Sequence, residues 1–331
     1  MNILKSFAVI IVLLFYLYPQ NSFSQTTDTT HQIIDPDSKI ELLFDRGFFT
    51  EGPAMGPDGN VYFSDITFTE SSGMQAGHLW KYDPKSNETS IFRSPSGMSN
   101  GIIFDHNGNM IVALMADFGG RCIIRTNMSS GKSEIIAGTY NGKSFNAPND
   151  LAIDEKGRIY FTDPRYVGHE PMEQSVMGVY KINLDGSVER IIENAGTPNG
   201  ILVSPDQKTL YVASLNGSSL LTELNALMQY QLDDAGNVSN EKIFIDFKGE
   251  GGPDGMAIDI DGNLYLARKG KTPGIYIYSP EGMQLGIIPT QEGPTNVTFG
   301  HGEAKNILFI TAGVSLYKIK VRSEGYTAVK W

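Results

Sequence analysis

The chain has 331 residues, 40% hydrophobic and 19% charged, with 36 glycines and a formal net charge of -11. This is the composition of a globular protein with room for a large core, not of a disordered chain. The acidic balance argues against nucleic acid, whose phosphates need clustered Lys and Arg, and the lone Cys122 excludes an internal disulfide and a cysteine-based zinc site.

The first element stands apart from the rest. Lys5 precedes an apolar run over 7–18, and small polar residues follow at Ser22 and Ser24. A positive start, an apolar middle and a small-residue exit describe a signal peptide over 1–24, and the apolar run is too short for a bilayer span. The mature protein is therefore expected to be exported, to the periplasm or beyond, with no membrane span after signal removal. Residues 25–38 form a polar leader, and 39–331 read as a single domain.

One phrase then returns along the chain: "TEGPAMGPDGNVYFSD", "SNGIIFDHNGNMIVAL", "PNDLAIDEKGRIYFTD", "PNGILVSPDQKTLYVAS" and "PDGMAIDIDGNLYLAR". A degenerate sixth copy is "TNVTFGHGEAKNILFIT". Gly59, Gly108 and Gly157 are 49 residues apart. Between the phrases lie further strand candidates such as "HLWKYD", "CIIRTN", "GVYKINL", "LMQYQLD" and "GIYIYS", each followed by a turn and another strand. β-branched and aromatic residues dominate, and apolar residues do not recur at helical spacing. Residues 220–228 alone are compatible with a short helix. Six units of about four strands predict an all-β fold, a six-bladed β-propeller with four-stranded blades around a central metal-binding channel. Strands at 39–45 and 315–322 are expected to pair and close the ring.

Eight residues before each turn position stand Glu51, Asn100, Asn149, Asn199, Asp254 and Asn296. A single Asn or Asp there is an ordinary turn former. Six in register on rotationally related repeats form a ring on the axis, and Glu51 is no turn former at all. All six side chains offer oxygen, and none offers sulfur or imidazole. Calcium takes six to eight oxygens in irregular geometry, whereas zinc prefers His or Cys and magnesium demands a stricter octahedron. Ca2+ is the expected cofactor, with Mg2+, Mn2+ or Zn2+ as other possible divalent cations. Sequons occur at Asn87, Asn127, Asn216, Asn237 and Asn296. The last lies on the ring and is read as unmodified.

The ordered set "EGP" (51–53), "NAPNDL" (146–151), "YFTDPRY" (160–166), "PNGILVSPD" (198–206) and "PDGMAID" (253–259) resembles the SMP-30/gluconolactonase/LRE-like family over about residues 45–320. The diisopropylfluorophosphatase and paraoxonase groups are related six-bladed calcium enzymes. The resemblance implies a catalytic divalent cation held by Glu51, Asn149, Asn199 and Asp254, with Asn100 and Asn296 outside the ligand set. It implies hydrolysis of a lactone, a sugar-acid lactone such as gluconolactone, with the cation polarising the carbonyl and Asp254 activating water. Asn100, Asn149, Arg165 and Tyr166 are the expected substrate contacts. Some vertebrate members carry an Arg where this chain has Ala147, and some relatives bind a second calcium through an Asp where it has Ala257. Neither feature is expected here. Asp163, mirrored by Asp65, reads as structural. No obligate protein partner is inferred.

The same scaffold and cation would also serve a phosphotriesterase or arylesterase. A non-catalytic calcium-containing propeller that binds a sugar or a protein is the alternative from another class. A strictosidine-synthase-like condensing enzyme is a weaker one, since it relies on a Glu elsewhere.

Overall fold

The structure, a computed structural model, describes residues 33–35, 37–73, 77–215 and 225–331. The signal peptide and most of the polar leader lie outside the described residues. Six four-stranded antiparallel sheets make up the fold. Their innermost strands are Thr50–Met55, Ser99–Phe104, Leu151–Ile153, Thr197–Val203, Pro253–Ile258 and Pro294–Phe299. Each contacts the next in a closed circle, the first against the sixth, so the sheets are the blades of a six-bladed propeller. Among the described residues no helix is long and apolar enough to cross a membrane.

The repeated phrase folds as an inner hairpin. Asp105 accepts the backbone N–H groups of Asn107 and Asn109, Asp154 those of Lys156 and Arg158, and Asp259 those of Asp261 and Asn263. The turn also needs a left-handed residue. Gly108, Gly157 and Gly262 supply it at φ 72°, 92° and 83°, and Gln207 takes the same conformation at φ 61° in the fourth copy. The sixth copy replaces the turn with a 3-10 turn at Gly302–Ala304.

Glu41–Phe44 pairs antiparallel with Ser315–Lys320, with Leu42 opposite Tyr317. The N-terminal strand thus becomes the outermost strand of the blade built by the C-terminal repeat, and ring closure removes a free edge. The stretch 220–228, compatible in sequence with a short helix, does not form one in its described part. Ala226–Leu232 is a strand between Thr209–Leu215 and Val238–Asp246, where pairing on both sides overrides the helix propensity of Ala, Leu and Met. The rest of that stretch lies outside the described residues.

The core lies between blades rather than inside them. One cluster joins Ala54, Tyr62 and Leu79 of the first blade to Ile102, Phe104, Met110 and Val112 of the second. Another sets Phe161 against Tyr180, stacked at 5.3 Å and 17°, and edge-on to Phe145 at 5.1 Å. Phe161 is fully buried. Phe161→Leu keeps most of the volume but removes two ring contacts, so it is expected to cost about 1–2 kcal/mol. A urea titration checks this: the midpoint should fall with the slope unchanged.

Candidate active site

The ring residues reach the axis through irregularities of the inner strands. Pairing register breaks between Glu51 and Ala54, Ser99 and Ile102, Pro198 and Ile201, Pro253 and Met256, and Pro294 and Asn296. A bulge bends the strand and re-aims a side chain. In the third blade the inner strand starts only at Leu151, and the Asn149 N–H donates to the Thr162 carbonyl instead. Crowding at the hub also selects glycine: a Cβ on Gly200 would meet the Asp254 carbonyl oxygen at 2.3 Å.

Two buried aspartates hold the loops that lead into the ring. Asp163 accepts the N–H groups of Asn146 and Ala147, each at 2.8 Å. Asp65 accepts those of Phe48 and Phe49, at 2.7 and 3.0 Å, and the Trp80 indole at 3.1 Å. Their shared role is to clamp the chain just before Asn149 and Glu51.

Glu51, Asn100, Asn149, Asn199, Asp254 and Tyr166 all line one cavity of about 490 Å³ at one end of the channel, with Phe49, Ile66 and Leu215 among its apolar walls. Asn296 lies beneath it. Its Nδ2 donates to Glu51 Oε2 at 3.1 Å, and the Gly52 N–H donates to the same oxygen at 2.7 Å. Asn296 and His301 instead line a smaller cavity of about 190 Å³ at the opposite end, which Tyr326, Val329 and Trp331 cover. Arg165 does not line the 490 Å³ cavity. Its largely buried guanidinium turns to Glu170, Nη1 to Oε2 3.5 Å, away from the hub.

Two residues that the sequence reading passed over belong to this hub. Lys269 Nζ pairs with Asp254 Oδ2 at 2.9 Å and lies 5.0 Å from the Phe49 ring centroid. The signal was available: Ile66, Met115 and Lys269 each stand seven residues after Gly59, Gly108 and Gly262, and all three line the cavity. Asp150 is the other. It occupies the place that Gly52, Gly101, Gly200 and Gly255 hold in four other copies, so its departure was visible as well.

The hub concentrates negative charge. Burial, then the charges of Asp254 and Asp150, hold the Glu51 carboxyl well above the usual carboxylate range. Burial pushes Asp150 up to about 7, with Asp254 adding to the effect. For Lys269, burial favours the neutral amine, but the carboxylate of Asp254, with Glu51 behind it, outweighs that and raises it overall. Tyr166 is 42% exposed as a residue. Its hydroxyl end is enclosed, and burial followed by the charges of Asp254 and Glu51 pushes the phenol upward.

Among the described residues no three His, Cys, Asp or Glu side chains form a ligand group. A cation here has to be completed by amide oxygens, and Asn149 and Asn199 line the same cavity as Glu51 and Asp254. Asn199 turns its Nδ2 toward Asp254 Oδ1 at 2.7 Å. Rotated by half a turn, the same amide presents oxygen. The donor chemistry fits a hard divalent cation: two carboxylates, two amides, no sulfur, no imidazole. Burial first, and then the charges of Asp254 and Asp150, oppose ionisation of Glu51, and a cation beside it would offset that opposition.

The family model described as the SMP-30/gluconolactonase/LRE-like region matches residues 49–314. A gluconolactonase of Zymomonas mobilis is 31% identical over 320 residues, covering 88% of this chain and 84% of its own. Lactonase drp35 of Staphylococcus epidermidis is 29% identical over 254 residues, 74% of this chain and 71% of its own. The solved structure of a gluconolactonase from Xanthomonas campestris superposes with a TM-score of 0.76 at 26% identity, covering 88% of this chain and 92% of the other.

Proposed function

The chain belongs to the SMP-30/gluconolactonase/LRE-like family, and from that premise we propose that it is a hydrolase that opens a sugar-acid lactone such as gluconolactone. The observation that carries the reading is the joint placement of Glu51, Asn149, Asn199 and Asp254 on one cavity, in a chain 31% identical to a gluconolactonase. We read these four residues as the holders of a divalent cation, Ca2+ by donor type. When bound, such an ion polarises the lactone carbonyl and stabilises the charge that develops on its oxygen.

The chain's own residues divide the remaining work. Asp254 holds and orients the attacking water and takes up its proton. Its Oδ2 is held by Lys269 Nζ at 2.9 Å, which fixes the carboxylate's orientation toward that water. The water oxygen bonds to the carbonyl carbon, the ring C–O bond breaks, and the ring oxygen takes the proton held by Asp254 and leaves as a hydroxyl. The product acid ionises and releases one proton. Asn100 and Tyr166 face the cavity as partners for substrate hydroxyls. Phe49, Ile66 and Leu215 exclude water from the walls. The apolar run over 7–18 supports export, so we place this reaction outside the cytoplasm.

Proton release from glucono-1,5-lactone tests the reading. The rate should exceed spontaneous hydrolysis, fall to it with EDTA, and return on adding Ca2+, Mg2+, Mn2+ or Zn2+. If calorimetry shows a bound cation but hydrolysis stays at the spontaneous rate, the protein is a binding propeller instead.

A further inference from the structure

A third cavity, of about 620 Å³, adjoins the 490 Å³ one and shares Phe68, Tyr166 and Val167 with it, so these three residues form the saddle between two lobes. We propose that the outer lobe binds a sugar unit attached to the lactone, so that the substrate is an aldonolactone with a glycosidic substituent rather than a free monosaccharide lactone. The proposal rests on the lactonase reading above.

The lining of the outer lobe carries the choice of ligand. Glu70, Ser71, Asp117 and His169 are polar, whereas an alkyl-substituted lactone would need an apolar wall. Carboxylates and imidazole beside aromatic rings suit a ligand with many hydroxyls on an apolar ring face. The lobe is also preorganised. Asp117 accepts the Thr69 N–H at 2.8 Å and holds His169 Nδ1 at 3.3 Å. That contact leaves Nε2 of the exposed imidazole with no partner among the described residues, and the ring lies 5.3 Å from Phe118. Asp117 and Phe118 are both left-handed, at φ 67° and 65°. Their N–H groups converge on the Glu170 carboxylate at 3.1 and 2.7 Å, which ties the loop after Leu114 to the loop after Asp163. Two consecutive left-handed non-glycine residues persist only where their surroundings hold them. Here what they hold is the wall of the lobe.

The test compares glucono-1,5-lactone with cellobionolactone on the full cation-loaded chain. The disaccharide lactone should have the higher kcat/KM, by ~10-fold, the equivalent of one good hydrogen bond. His169→Ala and Glu70→Ala should raise KM for the disaccharide lactone by a similar factor and leave both kcat and gluconolactone turnover unchanged. Saturation-transfer NMR with cellobionate should reach the non-reducing glucose in the wild type and lose it in His169→Ala. Equal turnover of both lactones with neither variant distinguishing them, or a preference for an alkyl lactone, overturns the outer lobe while the lactonase reading stands. Hydrolysis of neither lactone overturns the reading beneath it.

Discussion

Glu51→Gln is expected to lower kcat/KM for gluconolactone by ~10³-fold or more, as loss of charge stabilisation at an oxyanion site does. The substitution keeps the shape. Both donors to Glu51 Oε2, the Gly52 N–H and Asn296 Nδ2, can donate to the glutamine oxygen instead. What disappears is one of the two carboxylate charges that we propose hold a divalent cation. The fold should therefore survive. The metal-free chain should melt at an equal or higher temperature, because burial and the charges of Asp254 and Asp150 oppose ionisation of Glu51. Calorimetric titration should show weaker cation binding. Asp254→Asn is expected to lose activity as completely, for a further reason. Asp254 accepts from Asn199 on one oxygen and from Lys269 on the other, and an amide has only one oxygen to give. Wild-type rates in both variants would place the chemistry elsewhere.

How far the site could be read in advance depended on whether a residue was placed by the repeat or by packing. The turn glycines set a register, and that register led to Glu51, Asn100, Asn149, Asn199, Asp254 and Asn296 because each repeat is the same hairpin rotated about the axis. The limit of this reasoning appears at Asn296. It is in register, yet it sits below Glu51 as its donor and lines the opposite end of the channel. Rotational equivalence fixes angular position and not depth: Asn296 comes after the break in its strand and pairs with Thr311, whereas Asn100, Asn199 and Asp254 fall inside theirs. Arg165 shows a second limit. Its direction is set by Glu170, five residues on in a loop that no repeat constrains. Lys269 was recoverable only by following the far ends of the second strands, where Ile66 and Met115 are apolar and a cation is the exception. Closure by the N-terminal strand was legible because a ring made from one chain must join its ends. Which end supplies the outermost strand was not legible, because both end segments read equally as strands; the structure gives that place to Glu41–Phe44.

The stability of the metal-free chain should fall as pH rises from about 4.5 to 8, and a divalent cation should reverse much of that fall. The sign follows from proton linkage. A carboxyl whose folded pKa is raised binds its proton more tightly in the native state, so it stabilises the fold fully below its unfolded pKa and loses that contribution as pH rises through the folded value. Asp150 and Asp163 are both pushed up to about 7 by burial, and Glu51 is raised as well. At about 1.4 kcal/mol per pH unit, a single such group withdraws up to ~3 kcal/mol across the window. Carboxyls held low act elsewhere. Glu170, bound by backbone N–H groups against the opposing effect of its burial, and Glu189, bonded by Lys181, contribute above the ordinary carboxylate pKa and lose that contribution only in acid. They leave the window above pH 4.5 to the raised group. The two regions of the molecule should then separate. A cation held as proposed would offset the charge of Glu51 and, from the far side of the hub, part of that of Asp150, and at a hundredfold excess over its Kd it would add about 2.7 kcal/mol by mass action. Asp163 clamps a loop through the Asn146 and Ala147 N–H groups, so its share of the pH dependence should persist in the presence of cation. Urea midpoints at pH 5 and pH 8, with EDTA and with Ca2+, measure both parts. Stabilisation by Ca2+ should be larger at pH 8, and Glu51→Gln should shrink that difference. A metal-free midpoint that rises between pH 5 and pH 8 would mean that these carboxyls carry their charge in the folded chain without cost, and that the hub exerts no electrostatic demand for a cation.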